Sequence, residues 1–334
     1  MDKYAKIGVI GSGSWATAMI KMLTDNDAGK PVFWWVRKEE DIAFIRNYRH
    51  NPTYLSAIEI KVPPRSISSD AKWVVQQSDI VVLNTPAAYL KAALADIHAT
   101  DLKDKIIVSA IKGIIPDENL IVGEYLAEQY AVQEENIVVI GGPCHAEEVA
   151  QEKLSYLTFG CRNIDKAAWI ANLFSTRYIK TVLSSDTIGI EYGAVLKNIY
   201  ALAGGICHGL GYGDNFQAVL VSNAIREMEH FMEKLEPRGR EINASAYLGD
   251  LLVTAYSQFS RNRTFGNMIG KGYTVQSAQL EMNMVAEGFY ASSCIQHKIH
   301  QLNLDMPICN MVYDVLYRHR PAHIAVAELA ENFT

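Results

Sequence analysis

The stretch 6-KIGVIGSGSWATAMI-20 decides the fold. Its apolar run from Ile7 to Ile10 stops at Gly11. Gly11, Gly13 and Ala16 then follow in the spacing G-x-G-x-x-A, and Trp15, Met19 and Met22 recur at helical spacing. Each part has a physical reason. Gly11 permits a tight turn, Gly13 lets a pyrophosphate approach bare backbone, and Ala16 is small enough for helix and strand to pack closely. The helix N-terminus offers unpaired N–H groups and the positive end of its dipole to phosphates. A glycine motif of this kind is common by itself. One that follows a strand and opens a helix is a dinucleotide-binding fingerprint.

Downstream, the pattern continues as alternating strand-like and helix-like segments. Strands are predicted over residues 6–10, 32–36, 79–83, 106–110, 137–140, 155–159 and 178–182. Helical spacing is read over 40–48, 89–97, 120–129 and 165–174. Runs such as IVVL and IVVI are continuously apolar, as parallel strands covered on both faces must be. The expected fold is α/β, a Rossmann-type doubly wound parallel sheet. From Thr187 the texture changes to long helical patterns over 190–207, 216–234, 248–257, 277–289, 291–300 and 308–317. Two domains are therefore expected, a dinucleotide-binding domain over 1–187 and an all-helical domain over 188–334.

Bulk properties narrow the function. The 334 residues carry 49% hydrophobic and 20% charged residues, an ordinary globular composition for about two domains. A net charge of -6 argues against nucleic acid as a partner. The five cysteines (Cys144, Cys161, Cys207, Cys294, Cys309) are scattered, with neither a Cys-x-x-Cys pair nor zinc spacing. A reduced, cytoplasmic setting without a structural metal is expected. No apolar run reaches membrane-spanning length, and the chain enters its first strand at Lys6, so neither a stable membrane insertion nor a leader is expected.

Ligands of open parallel sheets bind outside the carboxyl ends of the strands, so the residues there are the candidates. The second strand ends at Arg37-Lys38, where an acidic residue would favour a ribose 2′-hydroxyl; two cations suit a 2′-phosphate. Lys112-Gly113 follows the fourth predicted strand, a placement suited to a carbonyl or a phosphate. Gly142, Cys144, His145 and Ala146 follow the fifth. Cys144 and His145 are sequence neighbours, which gives no geometric support for a nucleophile pair. In the helical half, Lys197-Asn198 sits in an otherwise apolar helix, where a lysine must snorkel, pair, or work with a lowered pKa. Asp250 and the run Ser260-Arg261-Asn262-Arg263 follow. Hydroxyl, guanidinium and amide groups together suit a phosphate monoester. Glu287, after Val285-Ala286, suits a cofactor ribose or amide.

Taken together, GSGSWATA (11–18), IKGI (111–114), GGPCHAEE (141–148), IEYGAVLKNIYAL (190–202), GLGYGDN (209–215), LGDLLVT (248–254), SRNRTFG (260–266) and AEG (286–288) resemble the bacterial NAD(P)-dependent glycerol-3-phosphate dehydrogenases. The resemblance runs from Ile7 to about Ser292. It implies interconversion of dihydroxyacetone phosphate and sn-glycerol 3-phosphate with NAD(H) or NADP(H), supplying glycerol 3-phosphate for phospholipid synthesis. It implies cofactor contacts from Gly11, Gly13, Ser14, Trp15, Arg37, Lys38, Lys112, Ala146, Arg261, Val285 and Glu287. It implies substrate contacts from Lys112, Gly142, Cys144, Lys197, Asp250, Ser260, Arg261 and Asn262, with Lys197 as the acid/base. Asn198 and Asp250 would orient Lys197. The chain departs from the family pattern at Cys144, His145, His208, Gln217 and Asn223. A homodimer is the default expectation for an enzyme of this kind. Two rivals stand beside this reading: a non-catalytic nicotinamide sensor, and a related dehydrogenase acting on another hydroxy acid or a sugar nucleotide.

Overall fold

The computed structural model describes residues 5–26, 29–282 and 286–333. They form two compact units. The first takes the chain up to Ile111 and then Val122–Ile190; the second takes Lys112–Ile121 and the chain from Glu191 onward.

The strands are β1 (Ile7–Ile10), β2 (Val32–Trp35), β3 (Ile67–Ser68), β4 (Ile80–Leu83), β5 (Ile106–Ser109), β6 (Ile114–Ile115), β7 (Leu120–Ile121), β8 (Ile137–Gly141), β9 (Ser155–Gly160) and β10 (Ile179–Ser184). Eight of them form one sheet in the order β10-β9-β8-β5-β4-β1-β2-β3. β1 lies between β2 and β4, with Ile7 paired to both Val32 and Ile80, and Ile10 to both Trp35 and Leu83. The strand order reverses at β1, so a crevice opens at the carboxyl ends of β1 and β4, the place where doubly wound sheets take ligands. The predicted apolar runs form the buried centre: Val9, Val82, Val108 and Val138 have no exposed surface. Helix α1 (Ser14–Asp25) covers one face with Ala16, Met19 and Ile20.

Three features differ from expectation. The sheet is mostly, not wholly, parallel: β9 runs antiparallel to β8, while β10 runs parallel to β9. β8 and β9 are joined through α2 (Ala146–Ala150), a helix of only five residues, and an antiparallel pair needs no crossover. An apolar run carries no information on direction. Second, Leu120 and Ile121 do not begin a helix; they form β7, which pairs antiparallel with β6. This hairpin belongs to the second unit, which is otherwise helical. Third, the spacing over 277–289 is not one helix but the end of a shorter one and the start of another.

Beside the β6–β7 hairpin, the main helices of the second unit are α3 (Thr187–Gly209), α4 (Asp214–Leu235), α5 (Asp250–Tyr256), α6 (Arg261–Gly270), α7 (Val275–Glu281), α8 (Glu287–Leu302), α9 (Pro307–Tyr317) and α10 (Ala322–Glu331). α3 and α6 touch backbone to backbone. A Cβ added at Gly205 would collide with the Arg263 carbonyl oxygen, and one added at Gly266 with that of Leu202. Gly209 and Gly270 stand in the same relation to Asn267 and Ile206. α8 closes on the same helix, since a Cβ at Gly288 would lie 2.6 Å from the Asn198 carbonyl oxygen. These small residues bring the starts of α6 and α8 against α3, the helix that carries Lys197. Among the described residues no helix is long and apolar enough to cross a membrane.

Candidate active site

The glycine turn is built as a cradle. Gly11 has φ +137°, and a Cβ there would lie 2.7 Å from the Asn84 carbonyl oxygen, so no side chain fits. Trp34 Nε1 donates to the Gly11 carbonyl at 2.7 Å and fixes the turn from beneath. A Cβ at Gly13 would meet nothing within 4 Å. Gly13 is also the N-cap of α1 and brings no side chain to cap it. A bare face and an uncapped helix start suit a pyrophosphate. Ser14 and Trp15 open α1 directly beside this face.

A residue that sequence reasoning did not single out holds the cradle. Asn51 is buried; its Nδ2 donates to the Ser12 carbonyl at 3.2 Å and to Thr17 Oγ1 at 3.0 Å. Its Oδ1 accepts from the N–H groups of Thr53 and Tyr54, both at 3.0 Å. Only the Asn51-Pro52 dipeptide marked this point, and it signals a turn rather than a contact.

Arg37 and Lys38 follow β2, both exposed, with Lys38 Nζ 3.2 Å from Glu40 Oε1. Gly142, with φ +100°, and buried Cys144 follow β8, and Ala146 opens the five-residue helix after them. All of these lie in the first unit. Val285, expected at the cofactor, lies outside the described residues.

The second unit assembles the charged group. Lys197, on α3, donates from Nζ to Asp250 Oδ1 at the start of α5. Lys112 Nζ donates to Asp250 Oδ2 at 3.1 Å. Asp250 and Lys197 are almost wholly buried, at 1% and 5% side-chain exposure, while Lys112 keeps 18%. Burial pushes the Lys197 ammonium down to about 7; Asp250 pulls it up and Lys112 adds to the lowering. Burial would raise Asp250, but the two lysines overcome it and hold the carboxyl below its usual range. One carboxylate thus carries two cations, leaving an excess of positive charge. A lysine that titrates near neutrality can both give and take a proton.

Local structure explains the placement. Asp250 follows a π-type turn over Ser245–Gly249, an irregularity frequent at functional sites. Its carbonyl accepts from Thr254 Oγ1 at 2.6 Å. Asn198, expected to orient Lys197, instead donates from Nδ2 to the Lys112 carbonyl at 2.7 Å. It therefore tethers the loop that carries Lys112 to α3. Neighbouring helix positions point about 100° apart, so Asn198 and Lys197 face different partners.

Ser260 caps α6, its Oγ accepting from Arg263 N–H at 3.3 Å. Asn262 Oδ1 accepts from Gly288 N–H at 2.9 Å, which joins the start of α6 to the start of α8 and so to Glu287. Hence Ser260 and Asn262 keep donor groups, a hydroxyl hydrogen and an amide NH2, beside Arg261 at a helix N-terminus. Of the departures, Gln217 is buried and donates to the Gly204 carbonyl at 3.0 Å, and Asn223 bonds back to Val219 within α4. Neither occupies the charged group. Among the described residues no cluster of three His, Cys, Asp or Glu stands where it could hold a metal ion.

Similarity to known proteins covers both units. Residues 6–167 match the N-terminus, and 186–327 the C-terminus, of the NAD-dependent glycerol-3-phosphate dehydrogenases. A relative from Salinibacter ruber, named as an NAD(P)+ glycerol-3-phosphate dehydrogenase, is 34% identical over 97% of this chain and 93% of its own. One of the same name from Staphylococcus haemolyticus is 32% identical over 97% of each chain. The crystal structure of glycerol-3-phosphate dehydrogenase from Coxiella burnetii superimposes with a TM-score of 0.89 at 23% identity, covering 99% of this chain and 100% of its own.

Proposed function

Given that the chain belongs to the NAD-dependent glycerol-3-phosphate dehydrogenase family, we propose that it interconverts dihydroxyacetone phosphate and sn-glycerol 3-phosphate with NAD(H) or NADP(H). The observation that carries this reading is the buried Lys197–Asp250–Lys112 group, with its lysine titrating near 7. Bound nicotinamide supplies or accepts the hydride. As a ketone is reduced, negative charge develops on its oxygen. Lys197 stabilises that charge and gives its proton to it; in the reverse direction neutral Lys197 takes the proton back. Asp250 fixes the Lys197 amine, and Lys112 shares that carboxylate through its other oxygen.

The substrate phosphate is held by Ser260, Arg261 and Asn262 at the N-terminus of α6, where dipole and guanidinium both favour an anion. Gly142 and Cys144 contact the substrate as well. A thiol is a weaker hydrogen-bond donor than a hydroxyl, so that contact is weak. On the cofactor side, Gly11, Gly13, Ser14 and Trp15 take the pyrophosphate. Arg37 and Lys38 take the adenosine ribose end, and Ala146, Lys112, Arg261, Val285 and Glu287 the remainder. Residues 1–187 act as the dinucleotide-binding domain and 188–334 as the substrate domain. The enzyme works in the cytoplasm as a homodimer, and its product feeds phospholipid synthesis.

The test is absorbance at the reduced-nicotinamide band, with purified protein and dihydroxyacetone phosphate, once with NADH and once with NADPH. Rapid oxidation of either is the expected result, and the ratio of rates reads the Arg37-Lys38 end. Binding of cofactor without oxidation would overturn the reaction and favour a non-catalytic sensor.

A further inference from the structure

The carboxyl ends of β4 and β5 carry polar side chains for which the fold has no use. Asn84 and Thr85 follow β4 directly, and Ser109 ends β5 in register with Leu83. Asn84 Nδ2 and Oδ1, Thr85 Oγ1 and Ser109 Oγ are all buried and have no hydrogen-bond partner among the described residues. Folded proteins leave very few buried polar atoms unsatisfied, so four on adjacent strand ends call for a ligand or ordered water. The residues themselves are held firmly. Asn84 N–H donates to the Ile10 carbonyl at 2.8 Å. Its carbonyl oxygen and Cβ lie 2.7 Å and 3.2 Å from where a Gly11 Cβ would stand. Asn84 thus forms a wall of the glycine turn.

Strand order says which part of a dinucleotide reaches this wall. Arg37 and Lys38 lie beyond β2, on one side of β1, and Gly13 follows β1 itself. With the adenosine end over β2 and the pyrophosphate at Gly13, the other half of the ligand extends over β4 and β5. That half carries ribose hydroxyls and a carboxamide, which both donate and accept. An asparagine amide and a threonine hydroxyl match that pattern, with rotation about the Asn84 side-chain torsions bringing its amide to the ligand. We propose that Asn84 and Thr85 anchor the nicotinamide–ribose half of the cofactor. The proposal rests on the reading that the first unit binds a nicotinamide dinucleotide.

The test uses the full-length protein without substrate. Binding of NADH and of ADP, which lacks both the nicotinamide and its ribose, is measured by calorimetry for the wild type, Asn84→Leu, Thr85→Val and the double variant. The double variant is expected to weaken NADH about tenfold, the effect of losing two ligand hydrogen bonds of ordinary net strength. ADP should change less than twofold. The thermal midpoint of the free double variant should hold or rise, because no internal bond is lost. A parallel loss of ADP binding, unchanged NADH binding, or a midpoint lowered by several degrees would overturn the anchor alone. A wild-type protein that binds no NADH would overturn the proposed function with it.

Discussion

A side-chain carbon added at Gly13 would meet nothing within 4 Å, whereas one added at Gly266 would run into the carbonyl oxygen of Leu202. Both glycines stand where a helix must come close to something. In the first unit the space is left open beside an uncapped helix start. In the second it is filled by another helix, and four glycines on α3 and α6 take part. The same residue type thus serves opposite ends. One clears backbone for a ligand, and the other draws backbones together so that Lys197, Asp250 and the start of α6 share one small region. An absent side chain marks a binding surface only when no neighbour of the chain occupies its place.

The largest effect expected is on chemistry in the close-packed unit. Lys197→Ala should lower kcat by about 10²- to 10⁴-fold, the range for losing a general acid, with little change in cofactor affinity. A near-normal kcat would pass the role to Lys112. Next comes Gly266→Ala, expected to lower stability by about 1–3 kcal/mol in denaturant unfolding, as overpacking does. If the variant were as stable as the wild type, the backbone contact with α3 would not hold the unit. Gly13→Ala should leave the thermal midpoint of the free protein unchanged while weakening NADH by about tenfold, or about 1.4 kcal/mol. A lower midpoint with unchanged binding would reverse the roles assigned to the two glycines.

The smallest effect concerns pH. With Lys197 pushed down to about 7, the acid needed for ketone reduction is present below that pH and lost above it. kcat/KM for reduction should fall as pH rises through about 7, and kcat/KM for oxidation should rise. Profiles flat from pH 6 to 8 in both directions would remove Lys197 as the titrating group.

How much was legible in advance follows from the range of each interaction. The glycine turn was readable because all its parts lie within residues 7–20. Lys112, Lys197 and Asp250 each stood out as charges in apolar or strand-end settings. Their union could not be read, because the ion pairs span 138 and 53 residues. The reversal of β9 was invisible, since pairing direction depends on the connection and not on the apolar run. The β6–β7 hairpin has two residues in each strand, too few for any period to show. Asn51 is a polar residue in a loop, where composition alone gives no reason to separate a buttress from solvent-facing chain; Asn84 and Thr85 stand at a strand end, where such sheets take ligands, but the sequence does not say that their side chains are buried without a partner.

The excursion of Lys112–Ile121 into the second unit has an evolutionary corollary. The backbone passes between units at 111–112, 121–122 and 190–191. No single crossover point in the gene would therefore exchange one whole unit for a foreign one. A recombinant joined near residue 190 would inherit Lys112 from one parent and Asp250 from the other. Such a chimera keeps its acid–base group only if both parents place a cation and a carboxylate at those positions, so the two halves are bound to be inherited together.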